Sequence, residues 1–502
     1  MADLAETLDN SRSRKRWESN HLIVGLLSLL GDSAQYLVGL AFIGLANMVL
    51  LPLYTRYLGP SDFGLYALID VLVLTLISVS GLGFAVSYLK LFASALPGEV
   101  PELLGTMIWA NGFAGAAAGI ALWILFASQQ ATRMLGGDAS RFAWLLLPLT
   151  LLETLQGALL THLRAQRRPT SFSLASAFRL VSIAAISLWL VAGRGEGLGG
   201  VFKARVLGDL CGFLMMGVLT ASDLSLSASY RTAASMAKYG MPVMASSLTI
   251  MVLDGAGRFF LNHYGNLEQV GLYAVATKIS GVMRTLIVVP FGAAWGGLMF
   301  QLAKRSEAQA MYSKIMSYLC VLSMSSALVF SLFSPLLLLL LATRDYAGSL
   351  PVIPWLFLVQ AAAILQYPCS MGIYLGSATK WLVPVFLSGV VVSLFLNWVL
   401  TPKFGMLGAA WAWLGAYLVI ITLSAWIGQR YYPLRYEKKA LLLASLPCVL
   451  AVAASRSSLL SVSGRGILLS FIFSSITMAF AVGYVWNDLR HCGGAMENGL
   501  AE

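Results

Sequence analysis

Apolar runs of about 20 residues, the length an α-helix needs to cross the hydrocarbon core of a bilayer, recur along nearly the whole chain. Inside a bilayer no water is available to the backbone. A spanning chain must therefore be helical or close into a barrel. A barrel would alternate polar and apolar side chains over segments of roughly ten residues, and no such segments occur. Only 11% of the residues are charged and 58% are hydrophobic, whereas soluble domains carry about 25% charged residues. That composition cannot cover a water-soluble surface, and the chain reads as an all-α integral membrane protein.

Fourteen transmembrane helices are expected, near 33–56, 65–92, 104–128, 142–163, 171–192, 197–221, 241–262, 269–299, 312–342, 350–376, 381–401, 405–429, 440–455 and 466–487. The mostly polar start contains Arg12, Arg14, Lys15 and Arg16 and no small-residue cleavage site after a short apolar stretch. It reads as a cytoplasmic tail and not a signal peptide. With the N-terminus inside, nineteen basic residues fall in cytoplasmic segments and eight in external loops, and six lie within spans. This bias is the positive-inside pattern and puts both termini in the cytoplasm. It also accounts for the net charge of +11. The charges sit in short loops without interleaved aromatics, so no nucleic-acid partner is expected.

The five cysteines, Cys211, Cys320, Cys369, Cys448 and Cys492, are scattered without CxxC pairing or histidine partners. They read as small buried residues. His21, His162, His263 and His491 all fall near expected helix ends, where interfacial packing is the simpler reading. Neither a metal nor a cofactor is expected, and no phosphate-binding P-loop is present to supply ATP. Protons, sodium, the membrane potential and a substrate's own gradient all remain as energy sources.

The chain also echoes itself. Gly64-Leu65-Tyr66-Ala67 returns as Gly271-Leu272-Tyr273-Ala274, an offset of 207 residues, in the same topological position. Leu198-Gly199 and Leu407-Gly408 form a second echo, offset by 209, each opening a span after a short external turn. Transporter folds are often built from such repeats. The expected organisation is a cytoplasmic segment (1–32), an N-lobe of helices 1–6 (33–221) and a cytoplasmic inter-lobe linker (222–240). A C-lobe of helices 7–12 (241–430), helices 13 and 14 (431–488) and a cytoplasmic tail (489–502) follow.

The stretch from Leu45 to Phe84, with Leu-Gly-Pro-Ser-Asp-Phe-Gly-Leu-Tyr-Ala at 58–67 and Gly81-Leu82-Gly83 near the far end of the second span, carries a family pattern. It resembles the polysaccharide transporter branch of the multidrug/oligosaccharidyl-lipid/polysaccharide flippase superfamily. That family commonly has an acidic pair after leucine-glycine-proline, and here Ser61 takes one of the two positions. The resemblance implies two six-helix lobes in a V around a central cavity, in a bacterial cytoplasmic membrane. It further implies movement of a lipid-linked saccharide to the external leaflet by alternating access. The partners it implies are the lipid-linked oligosaccharide, the bilayer and other polysaccharide assembly proteins. At the turn itself, Gly59-Pro60 stops one helix and Ser61 or Asp62 is placed to cap the next.

Ionisable groups at bilayer depth cost about 2.5–3.5 kcal/mol each on insertion scales, so each should face a cavity or a partner. Asn47 and Asp254 correspond under the 207-residue offset, which gives the first helix of each lobe a polar group at the same depth. Arg258 lies four residues beyond Asp254 on nearly the same face, where the two could simply neutralise each other. Lys278 and Arg284 share the eighth span. Arg284 is too deep to snorkel easily, and their spacing of six residues argues against a common face. Asp70 corresponds to Thr277, which brings Asp70 and Lys278 within conceivable reach across the lobes.

Arg205 and Asp209 share a face of the sixth span and could pair structurally, while Lys203 points the other way toward the external interface. Arg179 lies close enough to the cytoplasmic end to snorkel outward. Glu153, beside Thr150, Thr154 and Gln156, is a mid-depth carboxylate whose environment would suit a proton relay if no cation is fixed beside it. Six basic residues against Asp70, Glu153, Asp209 and Asp254 make a cationic cavity, suited to the diphosphate that joins a sugar to a polyprenyl tail. The expected ligands of that diphosphate are Arg284 and Arg258, aided by Lys278, with Asn47 near sugar hydroxyls. Trp295, Trp355, Trp381, Trp398, Trp411, Trp413 and Trp426 mostly fall near expected membrane interfaces, as aromatic belts do.

Three other functions compete. A multidrug exporter of the same superfamily would present carboxylates to a cationic substrate and need only twelve helices. A glycan polymerase or ligase would carry a large external loop with catalytic Arg or His, and no loop of that size and no nucleophile–base–acid set is found. A non-transporting component of a glycan assembly complex would have to bury six basic residues without a ligand. The cationic cavity therefore favours a flippase over an enzyme.

Overall fold

Proline and glycine punctuate the chain and thereby set its helices. The computed structural model describes residues 48–128, 135, 139–225, 227–304, 308–434, 450, 472–477, 479 and 483. Among the described residues there is no strand, and ten helices are long and apolar enough to cross a membrane. This is a multi-pass membrane protein. The first helix, α1, is seen over 48–57. It is followed by α2 (Pro60–Ser80), α3 (Phe84–Phe92), α4 (Val100–Ala127), α5 (Ala143–Ala165), α6 (Pro169–Ser187) and α7 (Gly197–Thr220). Then come α8 (Tyr230–Tyr264), α9 (Leu267–Met283), α10 (Val289–Leu302), α11 (Ala308–Leu332), α12 (Ser334–Leu341), α13 (Ile353–Leu375), α14 (Leu382–Phe404) and α15 (Met406–Tyr431). The expected helices 13 and 14, and Asn47, lie outside the described residues save for isolated positions.

Several boundaries differ from expectation for local reasons. Pro60, which has no N–H to leave unpaired, opens α2, and Gly59 caps it without a side-chain bond, so neither Ser61 nor Asp62 is the cap. The second span breaks at Gly81-Leu82-Gly83, where Leu82 (φ 44°) and Gly83 (φ 66°) are left-handed, and α3 starts anew. Residues 230–240, expected as linker, are the first turns of α8, capped by Ser229, whose Oγ accepts from Thr232 N at 3.4 Å. Between α9 and α10 a π-helical turn, Arg284–Val288, precedes Pro290, whose missing N–H interrupts the regular ladder.

One group of helices packs α4 on α5, α5 on α7 and α6 on α7, and another packs α14 on α15, α13 on α15, α11 on α13 and α8 on α14. Between the groups, α2 lies against α9. Many large apolar side chains face outward, among them Phe113, Trp144, Val218 and Trp398, as expected of surfaces that meet lipid. We call the end that carries Leu58–Pro60 the turn end, and the opposite end, with residues 221–229, the linker end.

At the turn end the two groups are sealed together. Gly64 of α2 lies against the Leu267 carbonyl and Gly271 of α9, and Gly271 lies against the Pro60 carbonyl and Gly64. A Cβ on either glycine would collide with the facing backbone. The contact is reciprocal, and its offset of 207 residues is that of the sequence echo, as a two-fold relation between repeats requires. Around it, Tyr346 Oη donates to Leu58 O (2.9 Å), Thr343 Oγ1 to Thr55 O (3.2 Å) and Thr55 Oγ1 to Leu341 O (3.3 Å). At the linker end, α3 meets the start of α8: Ser87 Oγ donates to Met236 O (2.8 Å) and Lys90 Nζ sits 3.9 Å over the Tyr239 ring. His162, wholly buried near the end of α5, bridges the Tyr88 hydroxyl (2.6 Å) and Asp223 (3.1 Å). Burial raises the Asp223 carboxyl, but hydrogen bonds from His162 and Gln166 outweigh it and hold the group below the usual carboxylate range.

Candidate functional site

Desolvated charges are stable only when neutralised by close partners, and the helices between the two ends bring such partners together from sequence-distant positions. Arg205 of α7 donates Nη1 to Asp70 Oδ1 of α2 (2.6 Å) and Nε to Glu153 Oε1 of α5 (2.8 Å), with Nη2 2.7 Å from the same oxygen. Arg179 of α6 donates Nε to Asp209 Oδ1 of α7 (2.6 Å) and Nη2 to Glu153 Oε1 (3.3 Å). Two guanidiniums thus hold three carboxylates. These side chains are largely withdrawn from solvent, with Asp209 at 0% and Arg205 at 12% exposure.

On the other side the balance reverses. Arg284 Nη1 of the π turn meets Asp254 Oδ2 of α8 at 2.7 Å. Arg258 Nη2 donates to Thr277 Oγ1 (3.1 Å), and Lys278 Nζ of α9 reaches Asp70 Oδ2 only at 4.0 Å. Three cations here share one carboxylate of their own. Lys278 and Arg284 keep 42% and 40% of their side chains exposed.

Two cavities lie on these two clusters. The first, about 300 Å³, is lined by Asp70, Glu153, Arg179 and Arg205 with Tyr54 and Tyr66. The second, about 270 Å³, is lined by Asp254, Arg258, Lys278 and Arg284 with Gln360 and Trp413. Asp70, Leu74 and Lys278 line both. The chamber is therefore electrically two-sided: with Asp209 included, the α5–α7 side carries one net negative charge and the α8–α9 side two net positive charges.

Several expected pairings are corrected. Asp254 does not pair with Arg258; it pairs with Arg284, and Arg258 turns to Thr277. Arg205 does not pair with Asp209, because closer carboxylates arrive from α2 and α5. Arg179 does not snorkel outward, because Asp209 and Glu153 draw it inward. Glu153 has two guanidiniums beside it, so it is not the cation-free carboxylate considered for a proton relay. Lys278 and Arg284 do line one cavity: a turn of about 240° one way is about 120° the other, with Gly281, also in the lining, midway between them. Lys203 pairs with Glu196 (2.7 Å) outside the chamber, which leaves five basic residues facing four acids within it.

Two lining residues went unread in the sequence. Gln360 of α13 is a polar residue in an apolar span, and a buried amide there carries the same signal as an ionisable group. Trp413, expected with the interfacial tryptophans, instead sits seven residues into α15, about 10 Å deep, and is buried.

Residues 30–302, more than half of the chain, match the family model described as polysaccharide biosynthesis protein. The chain belongs to this family. A search of curated proteins finds no match. Among solved structures, this polysaccharide biosynthesis family member is similar to a lipid II flippase MurJ in an inward closed conformation, with TM-score 0.72 and 11% identity over 92% of this chain and 99% of that one. It is also similar to a multidrug resistance MATE transporter of the MOP superfamily in its inward-facing conformation (TM-score 0.56, 14% identity). The outward-facing conformation gives TM-score 0.55 and 15% identity, and in both cases 82% of this chain and 96% of that one are covered. What the chain shares with these structures is the fold.

Proposed function

We propose that this protein is a flippase that carries a polyprenyl-diphosphate-linked oligosaccharide across the cytoplasmic membrane by alternating access, for cell-surface or exopolysaccharide synthesis. The observation that carries the reading is the cationic side of the chamber, where Arg258, Lys278 and Arg284 face one another with a single carboxylate of their own, Asp254. Guanidinium and ammonium groups match phosphate oxygens, and a diphosphate diester brings the two negative charges that this side lacks. Membership of a polysaccharide biosynthesis family and a fold shared with a lipid II flippase support the same class of cargo. The positive-inside bias supports a turn end outside and a linker end in the cytoplasm.

In this reading Arg284 and Arg258 hold the diphosphate and Lys278 closes over it from the seam. The paired carboxylates and arginines of α2, α5, α6 and α7 form the opposite wall. In cells whose own copy is deleted, lipid-linked glycan intermediates should accumulate and be visible by mass spectrometry. Wild-type protein should clear them, and Arg284→Ala should clear them at least tenfold more slowly, since a charge-assisted bond is worth about 1.5–3 kcal/mol. Full clearance by Arg284→Ala removes the anion assignment, and the absence of any accumulation removes the flippase.

A further inference from the structure

Among the described residues, buried polar side-chain atoms without a partner are not spread evenly over the chamber. Asp209 Oδ2 of the α5–α7 network is unpaired but lines neither cavity; none belongs to the lining of the first cavity, whereas three belong to the second: Asp254 Oδ1, Arg258 Nε and the Trp413 indole Nε1. Trp413 is 5% exposed. Native interiors pair nearly all such groups, so unpaired ones gathered on one wall of a cavity mark places for a ligand's polar atoms.

Their chemistry is mixed, and this narrows the ligand. An indole N–H only donates and a carboxylate only accepts. A phosphate only accepts: it can satisfy Arg258 Nε or Trp413 Nε1, but it leaves Asp254 Oδ1 empty. An ammonium group can satisfy Asp254 and leaves Trp413 empty. A sugar ring bearing hydroxyl or acylamino groups does both, and the ring of Trp413 adds an apolar face to set it against. Gln360, 3% exposed in the same lining, carries both a donor and an acceptor.

We propose that Asp254, Trp413 and Gln360 form a saccharide subsite for the sugar attached directly to the diphosphate, beside Arg258, Lys278 and Arg284. The proposal rests on the diphosphate reading above and adds that the first sugar lies on the α8–α15 wall and not against the α5–α7 network. Head-group selection then resides in the same half of the chamber as phosphate binding.

Two probes separate the proposals: farnesyl diphosphate, and the same lipid diphosphate bearing one N-acetylhexosamine, each titrated onto purified full-length protein in detergent. Wild-type protein should bind the sugar-bearing probe about tenfold more tightly. Trp413→Phe, which keeps a ring but cannot donate, should cut that preference to about threefold or less, and Gln360→Leu should do the same should Trp413→Phe fold poorly. Lys278→Ala should weaken both probes and preserve the preference. Equal binding of the two probes by wild-type protein overturns the subsite and leaves the diphosphate reading standing. So does a full preference in the Trp413 and Gln360 variants. Binding of neither probe overturns both.

Discussion

Arg205 binds carboxylates from two other helices, Asp70 and Glu153, within 2.7 Å. Removing it leaves both acids buried and short of a counter-charge, a loss of about 3–5 kcal/mol. Arg205→Ala should therefore lower the thermal unfolding midpoint in detergent by several degrees, and adding Asp70→Asn and Glu153→Gln should restore part of it. A midpoint equal to wild type would show the network to be dispensable. At this scale the sequence was informative about which residues matter but not about whom they meet. The cost of an intramembrane charge marked out each ionisable residue that lines the chamber. Spacing rules see only one helix, however, and suggested Arg205–Asp209 and Asp254–Arg258, whereas the actual partners lie on other helices.

Between α2 and α9 the crossing is set by backbone touching backbone at Gly64 and Gly271. Any side chain there must push the helices apart at the turn end, while the linker-end contacts of α3 with α8 are untouched. Gly64→Val or Gly271→Val should open the chamber to the turn end. A cysteine placed at Leu74, which lines both cavities, should then react faster with a bulky maleimide added on that side. An unchanged rate would mean that the crossing is not the barrier. The crossing was foreshadowed by the sequence echo, because the matched glycines sit at equivalent positions of the two repeats. The break at Gly81–Gly83, the early start of α8 and the π turn at Arg284 were not. Hydropathy is blind to where within an apolar run the hydrogen-bond ladder changes.

Over the whole molecule, the seal at the turn end joins the two helix groups by a reciprocal glycine contact and by hydrogen bonds of Thr55, Thr343 and Tyr346. The proposed alternating access requires these to part. Thr55→Cys combined with Thr343→Cys should, on oxidation, stop clearance of lipid-linked glycan and regain it on reduction, and transport that continues while cross-linked would exclude this end as a gate. Hydropathy alone sufficed for the class of fold, since the expected spans 2 to 12 each hold helices. It could not foretell the two-sided charge of the chamber, which depends on which helix faces which. The Gly64–Gly271 crossing has one more consequence. Each side of it mirrors the other, as in a homodimer whose two identical subunits touch about a two-fold axis. Joined in one chain, two such sides are free to differ everywhere except where they touch. That freedom lets one half become a net anionic wall and the other a cationic one while the seam between them keeps its symmetry.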